Sequence, residues 1–135
     1  KINNKKINLI DQSYNSNPLS LTSAIKNYDK IDSKKSQKYL LIGDMLELGT
    51  HSAKLHKSIA PLINQTKIDK VFVKGKMASL IFKDISKEKK GRILSNKSQI
   101  IEFLRKDLNN NDHLMIKASL ATGFNNIVKD LKGLN

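Results

Sequence analysis

The 135-residue sequence contains no cysteine. That absence excludes a disulfide framework, a thiolate metal site and a cysteine nucleophile, and it fits a reducing compartment such as the cytoplasm. No apolar run is long enough to span a bilayer, and no basic, apolar and small-residue leader opens the chain, so it reads as soluble, without membrane anchor or signal peptide. Arginine is scarce: Arg92 and Arg105 stand alone among 25 basic residues set against 12 acids, for a formal net charge of +13. A balance this basic raises nucleic acid or an anionic membrane as partner, but phosphate and base recognition favours the planar guanidinium fork over a hydrated ammonium. The densest basic stretch, Lys83 to Lys97, holds six cations and two acids with no aromatic inside it, so it offers no stacking platform. The charge therefore reads mainly as composition on a solvated surface, with nucleic-acid binding the minority reading.

What is present is a regular alternation. Ile7 to Ile10 reads as a strand, and Pro18 to Tyr28 as a helix with Leu21, Ile25 and Tyr28 on one face. Tyr39 to Ile42 is an apolar strand ending at Gly43, followed by Leu55, Ile59, Leu62 and Ile63 at the spacing of one helix. Val71 to Val73 is a third strand closed by Gly75, with a short helix over Met77 to Phe82, and Arg92 to Leu94 is a fourth. Ile100, Ile101, Leu104 and Leu108 mark a helix, His113 to Ile116 a fifth strand, and Phe124 to Leu134 a last helix. Continuously apolar strands separated by single helices predict one domain of α/β class, an open, mostly parallel sheet with helices on both faces. The polar stretches Asp32 to Lys38, Lys87 to Lys90 and Asn109 to Asn111 read as solvated turns. In sheets of this kind ligands bind outside the carboxyl ends of the strands, which gives each motif a positional test.

The first strand runs into Asp11-Gln12-Ser13-Tyr14-Asn15-Ser16-Asn17-Pro18. Asn17 as N-cap with Pro18 at the first helical position is an ordinary helix start. Asp11 to Asn15, five hydrogen-bonding side chains in a row at a carboxyl end, exceed what a cap requires and suit a small polar ligand or nucleotide. The second strand ends in Gly43-Asp44-Met45-Leu46-Glu47-Leu48-Gly49, whose glycines and Asp44 allow a tight capped turn, while Asp44 and Glu47 could equally hold a ligand amine or act as a base. Lys117-Ala118-Ser119 leaves the fifth strand, and its ammonium and hydroxyl read either as an anion clamp or as a snorkelling lysine beside a capping serine. His51 and His56, five apart, lack the same-face spacing of a metal pair and read as surface or capping residues, so no dedicated metal site is expected. Lys74-Gly75-Lys76 lacks the glycine-rich run and terminal Gly-Lys-Ser/Thr of a phosphate loop, so the chain has no nucleoside-triphosphate cradle of its own.

Taken in order, these three motifs resemble those of the C-terminal domain of the Mur ligases, in the MurF branch that joins D-alanyl-D-alanine to UDP-N-acetylmuramoyl-tripeptide. The Ser-Tyr-Asn-x-Asn-Pro and Gly-Asp-Met-x-Glu-Leu-Gly signatures carry the resemblance, the Lys-Ala-Ser segment supports it, and His56 falls where the family has a histidine. The resemblance implies that residues 1–135 form the third, Rossmann-like domain of a longer cytoplasmic enzyme of peptidoglycan precursor synthesis, whose other domains bind the UDP-sugar and carry the P-loop. It implies ATP and Mg2+ as cofactors, held mainly by the central domain, and an acyl phosphate attacked by the dipeptide amine. An isolated third domain would then be inactive, with its work limited to positioning the amine and excluding water.

Carried over by resemblance, Asp11, Gln12 and Ser13 face the nucleotide, Tyr14, Asn15, Asn17, Lys117 and Ser119 bind the dipeptide, and Asp44 and Glu47 shape the rim. Gln12 stands where the family usually has an acid, Ala118 replaces a glycine, Leu120 a frequent arginine, Phe124 a frequent methionine and Asn125 a frequent glutamate. Gln12 can still hydrogen-bond a ribose hydroxyl, but without charge. The competing readings are a free-standing basic module that binds nucleic acid and an α/β interaction module, and the absence of an acidic cluster after the first strand counts against a receiver-like version of the latter.

Overall fold

Side chains alternate across the strands and divide the core into two halves. A computed structural model describes residues 5–12, 17–32, 35–46 and 48–117. The expected last helix and the departures at positions 118, 120, 124 and 125 lie outside them. The described residues form a sheet of β1 (Asn8–Gln12), β2 (Lys38–Gly43), β3 (Lys70–Lys74), β4 (Lys90–Ile93) and β5 (His113–Lys117) in the order β1-β5-β2-β3-β4, every pair parallel. On one face, Leu40, Ile42, Val71, Val73 and Met115 pack against α1 (Pro18–Asp29), α3 (Ile59–Asn64) and α4 (Ala78–Lys83). On the other, Tyr39, Leu41, Phe72, Leu114 and Ile116 pack against α5 (Lys97–Lys106). The division follows from handedness. β1 to β4 advance across the sheet in one direction and the return to β5 runs in the other, so right-handed crossovers put α5 on the opposite face.

The α/β class, the parallel sheet and the helices on both faces are as the sequence predicts, with three differences of detail. The edge strands are displaced from their apolar runs: β1 extends through Asp11 and Gln12, and β4 begins at Lys90 rather than Arg92. The expected single helix over residues 55–63 is two, α2 (Ser52–Lys57) and α3, joined at Ser58. Pro61 accounts for the break, because it has no N–H for the Lys57 carbonyl and its ring crowds that oxygen. Lys38 is not in a solvated turn but begins β2 and is buried, its Nζ donating to the last-turn carbonyl of Asp29 (2.9 Å). Beside it, Tyr28 donates its hydroxyl to the Tyr39 carbonyl (2.9 Å), and burial raises the phenol pKa so far that it remains a donor. These two bonds fasten the end of α1 to the start of β2.

Lysines elsewhere also serve the backbone. Lys89 Nζ donates to the carbonyls of Thr66 and Ile68, Lys70 Nζ to that of Glu88, and Lys5 Nζ to those of Arg105 and Leu108. Several acids do the converse: Asp29, Asp44, Asp69 and Asp112 each accept from backbone N–H groups. A share of the +13 charge is thus engaged with the chain itself rather than displayed to a polymer.

Candidate functional site at the carboxyl edge of the sheet

Strand order builds the site. β5 lies between β1 and β2, so its last residue, Lys117, is in register with Gln12 on one side and Ile42 on the other. The chain leaves β1 into the first motif, β5 into the third and, one residue after Ile42, β2 into the second. Three segments distant in sequence therefore share one edge, where ligands bind in parallel sheets. Connecting β1 to β2, α1 must cross over β5, and its N-terminus lies at this same edge.

Of the predicted residues, Asp11 is half-buried in β1 and in register with Ile116, and Gln12 ends the strand. Ser13, Tyr14, Asn15, Glu47 and Ser119 lie outside the described residues. Asn17 caps α1: its Oδ1 accepts from Ser20 N–H (2.9 Å), its own N–H donates to Ser20 Oγ (3.2 Å), and Pro18 opens the helix. This is the reciprocal arrangement of a capping box. It engages the Asn17 side-chain oxygen within the chain and fixes the direction in which the first motif enters the helix.

Asp44 is committed in the same way. Its Oδ1 accepts from the N–H of Ala78, the first residue of α4, at 2.7 Å. The carboxylate sits so close over Gly75 that a Cβ there would come within 2.6 Å of its Cγ, and Gly75 has φ +126°, a conformation open to glycine. Asp44 thus ties the segment after β2 to the turn after β3.

His56 is a correction to the sequence reading. It is neither a surface nor a capping residue but fully buried. Its Nε2 accepts from the N–H of Met45 (2.9 Å) and its Nδ1 lies 2.7 Å from the Ser52 carbonyl, an arrangement satisfied by the neutral ring with its proton on Nδ1. His51 is exposed, as expected. The family position of His56 was visible in the sequence, but nothing in its spacing indicated that the ring reaches back to Met45.

Lys117 differs from every other described lysine at this edge. It is 4% exposed, so its ammonium does not snorkel to bulk water, and among the described residues no acceptor lies within hydrogen-bonding reach of it. Burial lowers its pKa, since desolvation disfavours the charged form. The pleat puts Lys117 on the side of Met115, the α1 side. Its ammonium and the positive end of α1 therefore lie on one side of one edge, a combination that stabilises an anion.

A depression of about 680 Å³ lies at the opposite, amino edge between Asn8, Gln37, Asn110 and His113. Its walls are held by the protein's own hydrogen bonds, and no described residue of the three motifs lines it.

Residues 1–120 match the family described as Mur ligase, glutamate ligase domain. The UDP-N-acetylmuramoyl-tripeptide–D-alanyl-D-alanine ligase of Bacillus subtilis is 31% identical over 128 residues, and that of Buchnera aphidicola from Acyrthosiphon pisum is 34% identical over 125. These alignments cover 93% and 91% of the chain but 28% and 26% of the relatives, so the chain spans little more than a quarter of their length. In fold, the MurF ligase of Thermotoga maritima crystallised with ADP superposes with a TM-score of 0.78 over 98% of the chain and 30% of that protein, at 22% identity. The chain belongs to the Mur ligase family, in its glutamate ligase domain.

Proposed function

We propose that this chain is the dipeptide-positioning domain of an ATP-dependent ligase that joins D-alanyl-D-alanine to UDP-N-acetylmuramoyl-tripeptide in the cytoplasm. The names of the curated relatives supply the reaction class. One structural observation supports the domain's part in it: a buried lysine without a described acceptor, set at the edge where the three strands that carry the motifs end side by side. An ammonium taken out of water is costly unless an anion meets it. The carboxylate of an incoming dipeptide is such an anion, and holding it there would aim the free amine across the edge toward the activated tripeptide carboxylate.

On this reading Lys117 and Ser119 hold the dipeptide carboxylate, with Tyr14, Asn15 and Asn17 beside it. Asp11, Gln12 and Ser13 face the nucleotide, while Asp44 and Glu47 shape the rim. Asp44 would do so indirectly, since its carboxylate already serves Ala78. ATP phosphates and Mg2+ belong to the part of the enzyme that carries a phosphate loop, and among the described residues no group of three His, Asp or Glu gathers that could hold a metal. What this domain supplies is orientation and exclusion of water from a hydrolysable intermediate.

The test is steady-state kinetics of the full-length ligase carrying Lys117→Met, and separately Asn15→Ala. Losing one partner of a buried charge contact costs about 2–5 kcal/mol, so kcat/KM for the dipeptide should fall by roughly a hundredfold or more in the lysine variant while the KM for ATP is little changed. Wild-type rates in both variants would remove the site assignment. Residues 1–135 alone should hydrolyse no ATP.

A further inference from the structure

We propose that His56 is a positioning residue for amine-substrate binding, acting through the backbone of Met45 without touching substrate. The proposal rests on the function proposed above. The segment Asp44-Met45 is held from two sides by consecutive residues. The Asp44 carboxylate takes the N–H of Ala78, and the Met45 N–H is taken by His56 Nε2. Met45 is itself buried, so its N–H has no access to water and would be orphaned without the ring. On the far side of the ring the Nδ1 proton is fixed by the Ser52 carbonyl one helical turn back, with Ser52 Oγ at 3.4 Å. The imidazole is thereby locked in one tautomer and one orientation and presents an acceptor to the loop.

The loop it holds follows Gly43, one residue after Ile42, the register neighbour of Lys117. A shift of this backbone would pass into the end of β2, the strand paired with the one that carries the buried ammonium, whereas the residues of β1 proposed to face the nucleotide lie on the other side of β5. The effect of losing the hook should therefore fall on the dipeptide rather than on ATP. No new contact with either substrate is invoked. His56 is a support whose two ring nitrogens are both occupied by the protein.

The discriminating experiment compares His56→Leu, His56→Gln and His56→Asn in the full-length ligase, with dipeptide and ATP varied separately. Glutamine carries an acceptor near the position of Nε2 and asparagine is too short to reach Met45. His56→Leu and His56→Asn should raise the KM for the dipeptide about tenfold while the KM for ATP stays within about threefold, and His56→Gln should recover most of the loss, as expected for a displaced positioning element. A soluble leucine or asparagine variant with an unchanged dipeptide KM overturns the proposal, as does a glutamine variant no better than asparagine. If the leucine protein does not fold, the glutamine and asparagine pair decides. A wild-type enzyme that ligates no dipeptide would instead refute the functional reading, an outcome distinct from a competent wild type with indifferent His56 variants.

Discussion

The two edges of the sheet solve opposite problems. At the amino edge, Asp112 accepts from Gln37 N–H (3.0 Å) and Asn109 N–H (2.8 Å), Asp69 from Lys38 N–H (2.8 Å), and Asn8 Nδ2 donates to the Asn111 carbonyl (3.0 Å). Polar side chains there are used up in closing the chain on itself, around a depression of about 680 Å³. At the carboxyl edge, Asn17, Asp44 and His56 make comparable ties to backbone groups, but the same edge carries a buried lysine that the described residues leave without an acceptor. A hollow lined by groups bonded within the chain is an architectural consequence of where strands begin, and a buried charge with no acceptor among the described residues is the better marker of a ligand.

The largest effect that would separate the edges is Asp112→Ala. Asp112 is 3% exposed and its two oxygens serve two backbone donors, so truncation leaves both N–H groups orphaned. At about 1–3 kcal/mol each, the loss should approach 4 kcal/mol in denaturant unfolding. Enzyme that remains folded should show an unchanged KM for the dipeptide. A raised KM would mean that the amino edge communicates with the site and would dissolve the contrast.

Next in size is Gly75→Ala at the carboxyl edge. The new Cβ would enter the Asp44 carboxylate, and φ +126° is unfavourable for any L side chain, so about 2–3 kcal/mol of stability should be lost. Here, unlike at Asp112, the dipeptide KM should rise together with the loss, because Asp44 adjoins the segment held by His56. A stability change with no kinetic counterpart would show that the Asp44 tie is purely structural.

Much of this was legible in the sequence where burial is two-sided. Tyr39 to Ile42, Val71 to Val73 and His113 to Ile116 are apolar throughout because helices cover both faces, and their strands fall where that run predicts. The edge strands were misplaced for the same reason in reverse. Asp11 and Gln12 in β1, and Lys90 and Gly91 in β4, carry polar or small residues that a one-sided neighbour tolerates. Gly91 is needed for packing, since a Cβ there would strike the Phe72 ring at 2.6 Å. The motifs were visible as polar clusters, but their meeting was not. It depends on β5 inserting between β1 and β2, a tertiary event with no local signal. His56 was misread for a similar cause, because its burial is decided by a loop eleven residues away.

The smallest effect is also the one that tests whether Lys117 is held at a cost. Because burial lowers its pKa below the ordinary 10.5, the folded chain gives up this proton at a lower pH than the unfolded chain does. Between the lowered value and 10.5 the unfolded state binds more protons, so the contribution of this group to stability rises with pH across that window. Below it the desolvation cost is fully present. Lys117→Met removes the charge while keeping much of the volume, so at neutral pH the variant should be the more stable protein, by on the order of 1 kcal/mol. Its advantage should shrink as the pH is raised toward 10.5. The comparison is made as the difference between variant and wild type at each pH, so that other lysines cancel, and it should be repeated with saturating dipeptide, whose carboxylate would stabilise the wild type alone. A wild type more stable than Lys117→Met at neutral pH without ligand would mean that the ammonium already has its partner within the chain, and the carboxyl edge would then be as self-sufficient as the amino edge.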